Sequence, residues 1–421
     1  MNLELRKKAS EHNLSLMDFI LARIGQITKE TGINRTIFAA CPNSISVLRS
    51  ALKSAKRHNA PIKFAATLNQ VDTDGGYTGL TQKEFVKMIR IEAARINLQS
   101  PVIVAVDHGG PWLKDIQSKE KWSLDACMDW IKKSFEASIE AGYDLIHVDP
   151  TVDISVPKGQ IIKIETVAER TLELIEHCEL FRLKNGFPRI AYEVGTEEVH
   201  GGLADMKVFT NFLDLLKAGL KERNLEDVWP CFVVGKVGTD LHTSTFDASM
   251  ARLLTETVKP YGSVIKGHYS DNVSNPQDYP LSGMGAANVG PEFTEKEYEA
   301  LIELDSIEQK LFLEGRVAKR ADLKSKLWTA VIESNRWKKW LSESENSNDF
   351  FANSKERQEW LVKTGCRYIW ENPEVLAARA KLFQQLESNG IDANEILDSA
   401  IGKNMDKYFH QFNLVNLNDL L

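Results

Sequence analysis

Cysteine is scarce in this chain and carries no pattern. Five residues in 421, Cys41, Cys127, Cys178, Cys231 and Cys366, are odd in number and never spaced Cys-x-x-Cys. That excludes a disulfide framework and a thiolate metal knuckle, and it fits reduced thiols filling a core in a cytoplasmic protein. Long apolar runs are missing, so no stretch reads as a membrane span. The opening residues, Met1-Asn-Leu-Glu-Leu-Arg-Lys-Lys8, lack the apolar core of a signal peptide. Excess positive charge is missing too: the formal net charge is −7. Lys and Arg are spread along helical segments rather than gathered in a stripe, which argues against a nucleic-acid surface. There is no low-complexity tract and no repeat beyond an alternation of strand and helix.

What the chain does have is a series of short apolar runs that end abruptly in polar residues. Val102-Ile-Val-Ala-Val-Asp107-His108 is the clearest. Four of its first five residues are β-branched, as in a strand buried on both faces. It stops at an acid, an imidazole and Gly109-Gly110-Pro111. Similar runs lie at Thr36–Cys41, Ile62–Thr67, Asp144–Asp149, Ile190–Gly195, Cys231–Lys236, Val264–His268 and, more weakly, Ala286–Pro291. Helical patterns separate them, and Thr81 with Glu84, and Thr294 with Glu297, have capping-box spacing. Residues 1–32 read as amphipathic helix. Pro276, Pro280 and Gly283 leave little room for a helix between the seventh and eighth strands. Eight βα units predict a (β/α)8 TIM barrel over residues 1–310, including the N-terminal helical stretch. Residues 311–421, charged and Trp-rich, read as a helical C-terminal extension whose tryptophans are either buried packing or an interface.

The polar residues at the strand ends are the candidate site, since an α/β barrel works at the carboxyl ends of its strands. They are Asp107 and His108, His147 and Asp149, Glu193 and Glu197, Lys236 and Asp240, and His268 and Asp271. Buried ionisable groups are costly unless paired or bound to metal, so five such ends in succession are hard to ascribe to packing. Imidazoles with carboxylates suit zinc, manganese or a similar divalent ion. Such an ion can stabilise an enolate while a carboxylate moves a proton. That chemistry serves aldol cleavage, epimerisation or isomerisation of sugars. His108 and His268 are the favoured ligands; His147, mid-strand, is more often a satisfied core histidine. Lys236 offers a Schiff base or, more commonly, an ion-pair partner. The pairs Gly75-Gly76 and Gly201-Gly202 let a backbone approach phosphate or simply make turns.

Several motifs carry a family resemblance. Asn69-Gln-Val-Asp-Thr-Asp-Gly-Gly-Tyr-Thr-Gly79 resembles the NQVNxxGGYTGM segment of the noncatalytic-subunit family of class II tagatose-bisphosphate aldolase. Asp107-His-Gly-Gly-Pro111 is similar to its DHLGP, and Ile146-His-Val-Asp149 to its KIHLD. Val167-Ala-Glu-Arg170 matches VAER, Gly195-Thr-Glu197 matches GTE, and Gly267-His-Tyr-Ser-Asp271 is similar to AHSTD. Val289-Gly-Pro291 matches the end of KVGP, and Tyr368–Val375 resembles YYWxxPEV. The order is kept along nearly the whole chain. Gly109 departs from the usual Leu, Asn288 from a common Lys, Lys236 from a common Gln, and Asn272–Met284 is Pro-rich where the family runs a helix.

The resemblance implies a barrel related to catalytic class II aldolases. It also implies one of two roles: a ketohexose-phosphate 4-epimerase acting on a tagatose or fructose 6-phosphate-like substrate, or a noncatalytic subunit that supports an aldolase partner. In the first role His108 and His268 hold the divalent metal, with Glu197 as third ligand or base. Asp107, Glu197 and Asp149 are then the catalytic carboxylates. Asn69, Gln70, Gly76, Lys236, Ser270, Asp271, Asn288 and Gly290 are the expected substrate-binding residues, with any phosphate held by backbone N–H groups around Ser270, Asn288 and Gly290. Expected partners are a sugar or sugar phosphate and either an aldolase subunit or further copies of the chain, with no nucleic acid and no membrane.

Overall fold

The computed structural model describes residues 2–157, 160–196, 203–240, 244–342 and 345–421. Eight parallel strands close into a barrel in chain order. They are β1 (Ile37–Ala40), β2 (Ile62–Thr67), β3 (Val102–Gly109), β4 (Leu145–Val148), β5 (Ala191–Gly195), β6 (Phe232–Val234), β7 (Val264–Gly267) and β8 (Ala286–Val289). β1 pairs with β8 through Ile37↔Ala286 to Ala40↔Val289, which closes the ring. Each strand falls within an apolar run read from the sequence, except that β3 runs one residue past its own, to Gly109. Such runs are apolar on both sides because one face meets the barrel interior and the other the helices outside.

The helical layer follows the capping signals, with exceptions that have visible causes. Thr81 and Glu84 form a complete capping box at the helix Gln82–Arg95. The N-terminal stretch is two helices, Leu3–Glu11 and Leu16–Thr31, rather than one. Asn13 takes a left-handed conformation and the Ser15 hydroxyl accepts from the Asp18 N–H, so the chain restarts there. Only Asp278–Leu281 is helical between β7 and β8, as Pro276 and Pro280 suggested.

The helix after β8 begins at Pro291, not at Thr294, and runs to Leu313. The Thr294–Glu297 capping box is therefore not one. Asn43 donates to the Thr294 hydroxyl, and Glu297 accepts from Ser44 and Arg379. The true cap comes from outside the helix. Asp271 Oδ1 accepts from the Gly290 and Glu292 N–H groups at 2.9 and 2.8 Å.

Past β8 the described residues contain no further strand. Helices Leu323–Ser334, Lys355–Gly365, Pro373–Glu387 and Ala393–Gln411 pack against the barrel. The last inserts Tyr408 and Phe409 against Phe38 of β1, with ring centroids 5.3 Å apart in each pair. Trp337 and Trp370 are buried, as the packing reading of the tryptophans expects, whereas Trp328, Trp340 and Trp360 are half-buried.

Candidate active site at the barrel mouth

β3 does not end as a plain strand. Its register with β4 runs Val106↔Ile146 and then Gly109↔Val148, so β3 carries one residue more than its partner. Bulges of this kind re-aim a side chain. Here the residue affected is His108, whose φ of 49° lies in the left-handed region. A non-glycine residue held there is strained and persists only because its surroundings over-determine it. The surroundings are visible. A Cβ at Gly109 would lie 2.4 Å from the Phe135 ring, and one at Gly110 would lie 1.8 Å from the Asp149 carbonyl oxygen. Bare backbone at both positions lets β3 press against β4 and the helix Leu124–Ala141. Phe135 takes up the space that a larger residue at 109 would fill.

The result is a cluster in which ligating atoms of Asp107, His108, His147 and His268 all lie within 4.8 Å of one another. The His108 and His268 rings are 4.3 Å apart. Asp149 stands behind His108, its Oδ2 2.5 Å from Nδ1. Asp149 also accepts from the Thr151 hydroxyl. This pair fixes the ring and leaves Nε2 of His108 directed away from Asp149, the arrangement common in metal-bound histidines. His147 is different: its Nδ1 accepts the His108 backbone N–H at 3.1 Å. It is a satisfied core histidine by that atom. Nε2 of His268 is buried and makes no hydrogen bond, 3.4 Å from Asp107 Oδ1 and 3.5 Å from Glu193 Oε1.

Beneath the imidazoles lies a charged layer within the barrel. Lys63 on β2, Glu193 on β5 and Lys266 on β7 have no solvent exposure. Lys266 Nζ is 2.6 Å from Glu193 Oε1 and 3.3 Å from Asp107 Oδ1, and Lys63 Nζ is 3.3 Å from Glu193 Oε2. Burial, the largest single influence, would raise both carboxyls, but Lys266 together with the surrounding imidazoles and, for Glu193, Lys63 outweighs it and holds Asp107 and Glu193 well below the usual carboxylate range. Lys63 is drawn down to about 8 by burial and by the like charge of Lys266. Burial also lowers His147. For His108 burial pulls downward, yet Asp107 and Asp149 prevail and lift it to about 8.

The donor set therefore suits a divalent ion. It offers Nε2 of His108, with its ring held from behind, and an unpartnered buried Nε2 on His268, with the ionised Asp107 beside them. Glu197, the expected third ligand, lies outside the described residues, as do His200, Gly201, Gly202 and His242.

Above this floor is a cavity of about 200 Å³. The other expected site residues fall into two groups. Asn69, Gln70, Asp271, Asn288 and Gly290 line it together with Asp107, His108 and His268. Most of their polar groups are already engaged. Asn69 clamps the loop after β3, donating to the Leu113 carbonyl and accepting from the Asp115 N–H. Gln70 bonds Pro42, Asn43 and the Thr67 N–H. Asn288 donates to Asp107 at 2.9 Å and keeps an unpartnered Oδ1.

Asp149, Gly76, Lys236 and Ser270 do not line the cavity. Asp149 acts through His108. Gly76 serves a turn: its φ is 52° and a Cβ would lie 2.4 Å from the Gln70 carbonyl oxygen. Lys236 lies past the end of β6, its carbonyl accepting from the Ala204 N–H. Ser270 is fully buried and its N–H goes to the Asn288 carbonyl. The anion seat expected at Ser270, Asn288 and Gly290 is thus taken, since the Gly290 N–H is bound by Asp271.

Residues that the sequence reading passed over complete the site. Lys63 and Lys266 had a signal, a lone lysine inside an apolar parallel strand. Arg336, Lys339, Trp340, Arg367 and Tyr368 roof the cavity from the C-terminal helices. Nothing local in their sequence marks them as neighbours of β3 and β7.

Comparison with known proteins agrees with this architecture. The family model described as D-tagatose-1,6-bisphosphate aldolase subunit GatZ/KbaZ-like matches residues 23–414. A crystal structure of a probable tagatose 6 phosphate kinase from Sinorhizobium meliloti 1021 is similar over 90% of this chain and 100% of that one, with TM-score 0.73 and 22% identity. A fructose-bisphosphate aldolase from Campylobacter jejuni is similar over 95% of this chain and 94% of its own, with TM-score 0.57 and 11% identity. At these identities both likenesses speak for the fold alone.

Proposed function

We propose, from the premise that this chain belongs to the GatZ/KbaZ-like family of D-tagatose-1,6-bisphosphate aldolase subunits, that it is a metal-dependent ketohexose-phosphate 4-epimerase working by aldol-type chemistry. The observation that carries this reading is the cluster of Asp107, His108 and His268 over the buried Lys63–Glu193–Lys266 layer. A subunit that only supports a partner has no use for so many desolvated charges, because well-packed apolar residues in their place are often as stable or more so.

His108 and His268 are the residues that would hold the ion, with Glu197 as a third ligand or as a base. Bound there, a divalent cation supplies Lewis acidity toward a ketose carbonyl. Asp107, ionised and steadied by Asn288 and Lys266, takes the proton of the C4 hydroxyl. The C3–C4 bond then breaks, and its electron pair moves to the C2 oxygen as the C4 oxygen becomes an aldehyde. The aldehyde turns its other face, the bond re-forms, and Asp107 returns the proton. Asp149 keeps the His108 ring in place throughout. Lys266 limits the swing in charge as Asp107 gains and loses its proton.

The test is turnover by the purified chain alone. With zinc or manganese added, NMR should detect interconversion of ketohexose 6-phosphates that differ at C4. Chelation should stop it, and returned metal should restore it. His108→Ala should abolish turnover while the barrel still folds, as read by circular dichroism, and Asp107→Asn should cost about 10²–10⁴-fold. A noncatalytic subunit behaves in the opposite way. It is inert alone across the panel, and its support of an aldolase partner survives His108→Ala.

A further inference from the structure

Arg367 is the feature of the cavity that the reaction described above leaves unused. It sits in the turn Cys366–Tyr368 that follows the helix Lys355–Gly365, and it is only 8% exposed. Its Nε donates to the Thr364 carbonyl at 2.9 Å. Its Nη2 is buried and has no partner. No carboxylate among the described residues pairs with it. The neighbouring cations of the roof are different, since Arg336 and Lys339 both pair with Asp115. The Arg367 guanidinium lies against the rings of Trp340 and Tyr368, at 5.0 and 5.9 Å from their centroids. Trp340 Nε1 is a second buried donor without a partner on the same cavity wall.

A buried guanidinium with an unused N–H costs free energy unless something completes it. Two unsatisfied buried donors on one cavity wall, one of them charged, call for an anion with several acceptor oxygens. The rival seat, the helix N-terminus at Gly290, is closed by the Asp271 carboxylate. We infer that Arg367 and the Trp340 indole N–H form the seat for the substrate's phosphate, so that a ketose phosphate spans the cavity with its carbonyl end at the His108–His268 floor and its phosphate under the C-terminal roof. This rests on the sugar-phosphate reading above, and it names the residues that would select a phosphorylated substrate.

The experiment measures equilibrium binding to the full chain of four probes: inorganic phosphate, a ketohexose 6-phosphate, the matching free ketohexose, and a ketohexuronate of the same stereochemistry. Losing a charged hydrogen bond changes affinity by about 10- to 100-fold. Arg367→Met should weaken the phosphate ester by that factor and leave the free ketose unchanged. Arg367→Lys should recover part of the loss. Trp340→Phe keeps the ring and loses the donor, and should weaken the ester several-fold; it also carries the test should Arg367→Met fail to fold. Inorganic phosphate should compete with the ester in the unaltered chain and not in Arg367→Met.

Equal binding of the ester by Arg367→Met and the unaltered chain would overturn the inference. So would an Arg367 dependence seen only with the ketohexuronate, which would make the seat one for carboxylate. The two layers of argument fail separately. If no ketose phosphate binds but inorganic phosphate does, through Arg367, the seat stands and the sugar-phosphate reading falls. If inorganic phosphate binds without regard to Arg367, the seat falls.

Discussion

His108 bears three demands at once. Its backbone is left-handed, its Nδ1 is committed to Asp149, and its ring lies against His147 and His268. Asp149→Asn keeps an oxygen that can accept from Nδ1 but removes the charge, so in metal-free protein the His108 pKa should fall from about 8 toward the ordinary imidazole range, read by NMR titration. The sign for stability follows. A histidine whose folded pKa exceeds its unfolded value of 6.5 contributes stability that is complete below that value and lost as pH rises through about 8. The stability difference between the unaltered chain and Asp149→Asn should therefore shrink between about pH 6 and 9. Asp149→Ala removes the orienting group altogether and should weaken zinc binding about 10–100-fold by calorimetry. Asp107, His108 and His268 were legible because ionisable groups at the ends of apolar strands are conspicuous. The placement of Asp149 behind His108, off the cavity wall, was not, since a strand-end carboxylate that faces a cavity and one that backs an imidazole look alike in one dimension. Lys236 and Lys266 show the same difficulty: both follow apolar residues, and only barrel closure turns Lys266 inward.

At the scale of elements, two strand-end devices admit direct tests. The first is the bare backbone at Gly110. Gly110→Ala sets a Cβ against the Asp149 carbonyl oxygen, and no flexible side chain can yield there. The loss should be at least the ~1–3 kcal/mol typical of overpacking, seen as a lowered Tm. The second is the cap on the helix Pro291–Leu313. Burial and the neighbouring Glu292 push Asp271 from 3.8 up to about 7 despite the two N–H groups it accepts. The folded state thus holds this proton more tightly than the unfolded chain, and the contribution to stability declines as pH rises from about 4 to 7. Asp271→Asn keeps the acceptor without the charge. It should lose that part of the pH dependence and melt no lower than the unaltered chain at pH 8. All eight strands were legible, because each is an apolar run bounded by turn residues. The helix start at Pro291 was misread, because the group that caps it comes from another loop while a capping-box spacing stood nearby.

For the whole molecule, barrel and C-terminal helices share one continuous apolar core. Phe38 of β1 meets Tyr408 and Phe409, and Glu292 accepts from Asn404, Lys407 and Tyr408. A chain ending at residue 310 would expose the outer face of β1 and leave Glu292 buried without those partners. Expressed alone, residues 1–310 should fail to give a cooperative unfolding transition by calorimetry. Phe409→Ala in the full chain should cost about 3–5 kcal/mol. Helical character past residue 311 was legible from the sequence, whereas the docking of those helices over the mouth depends on contacts between residues hundreds of positions apart.

The roof over the cavity also has a place in time. When the ribosome has reached Leu313, all eight strands, both floor imidazoles and Asp107 exist, but Arg336, Trp340 and Arg367 do not. At about 5–20 residues per second, translation needs several more seconds to supply them. In that interval the strands lack the C-terminal helix that packs on Phe38, and the proposed phosphate seat is not yet made. The cavity wall is therefore built in two instalments, strand ends first and roof second, with Tyr368 the last of its lining residues to be made.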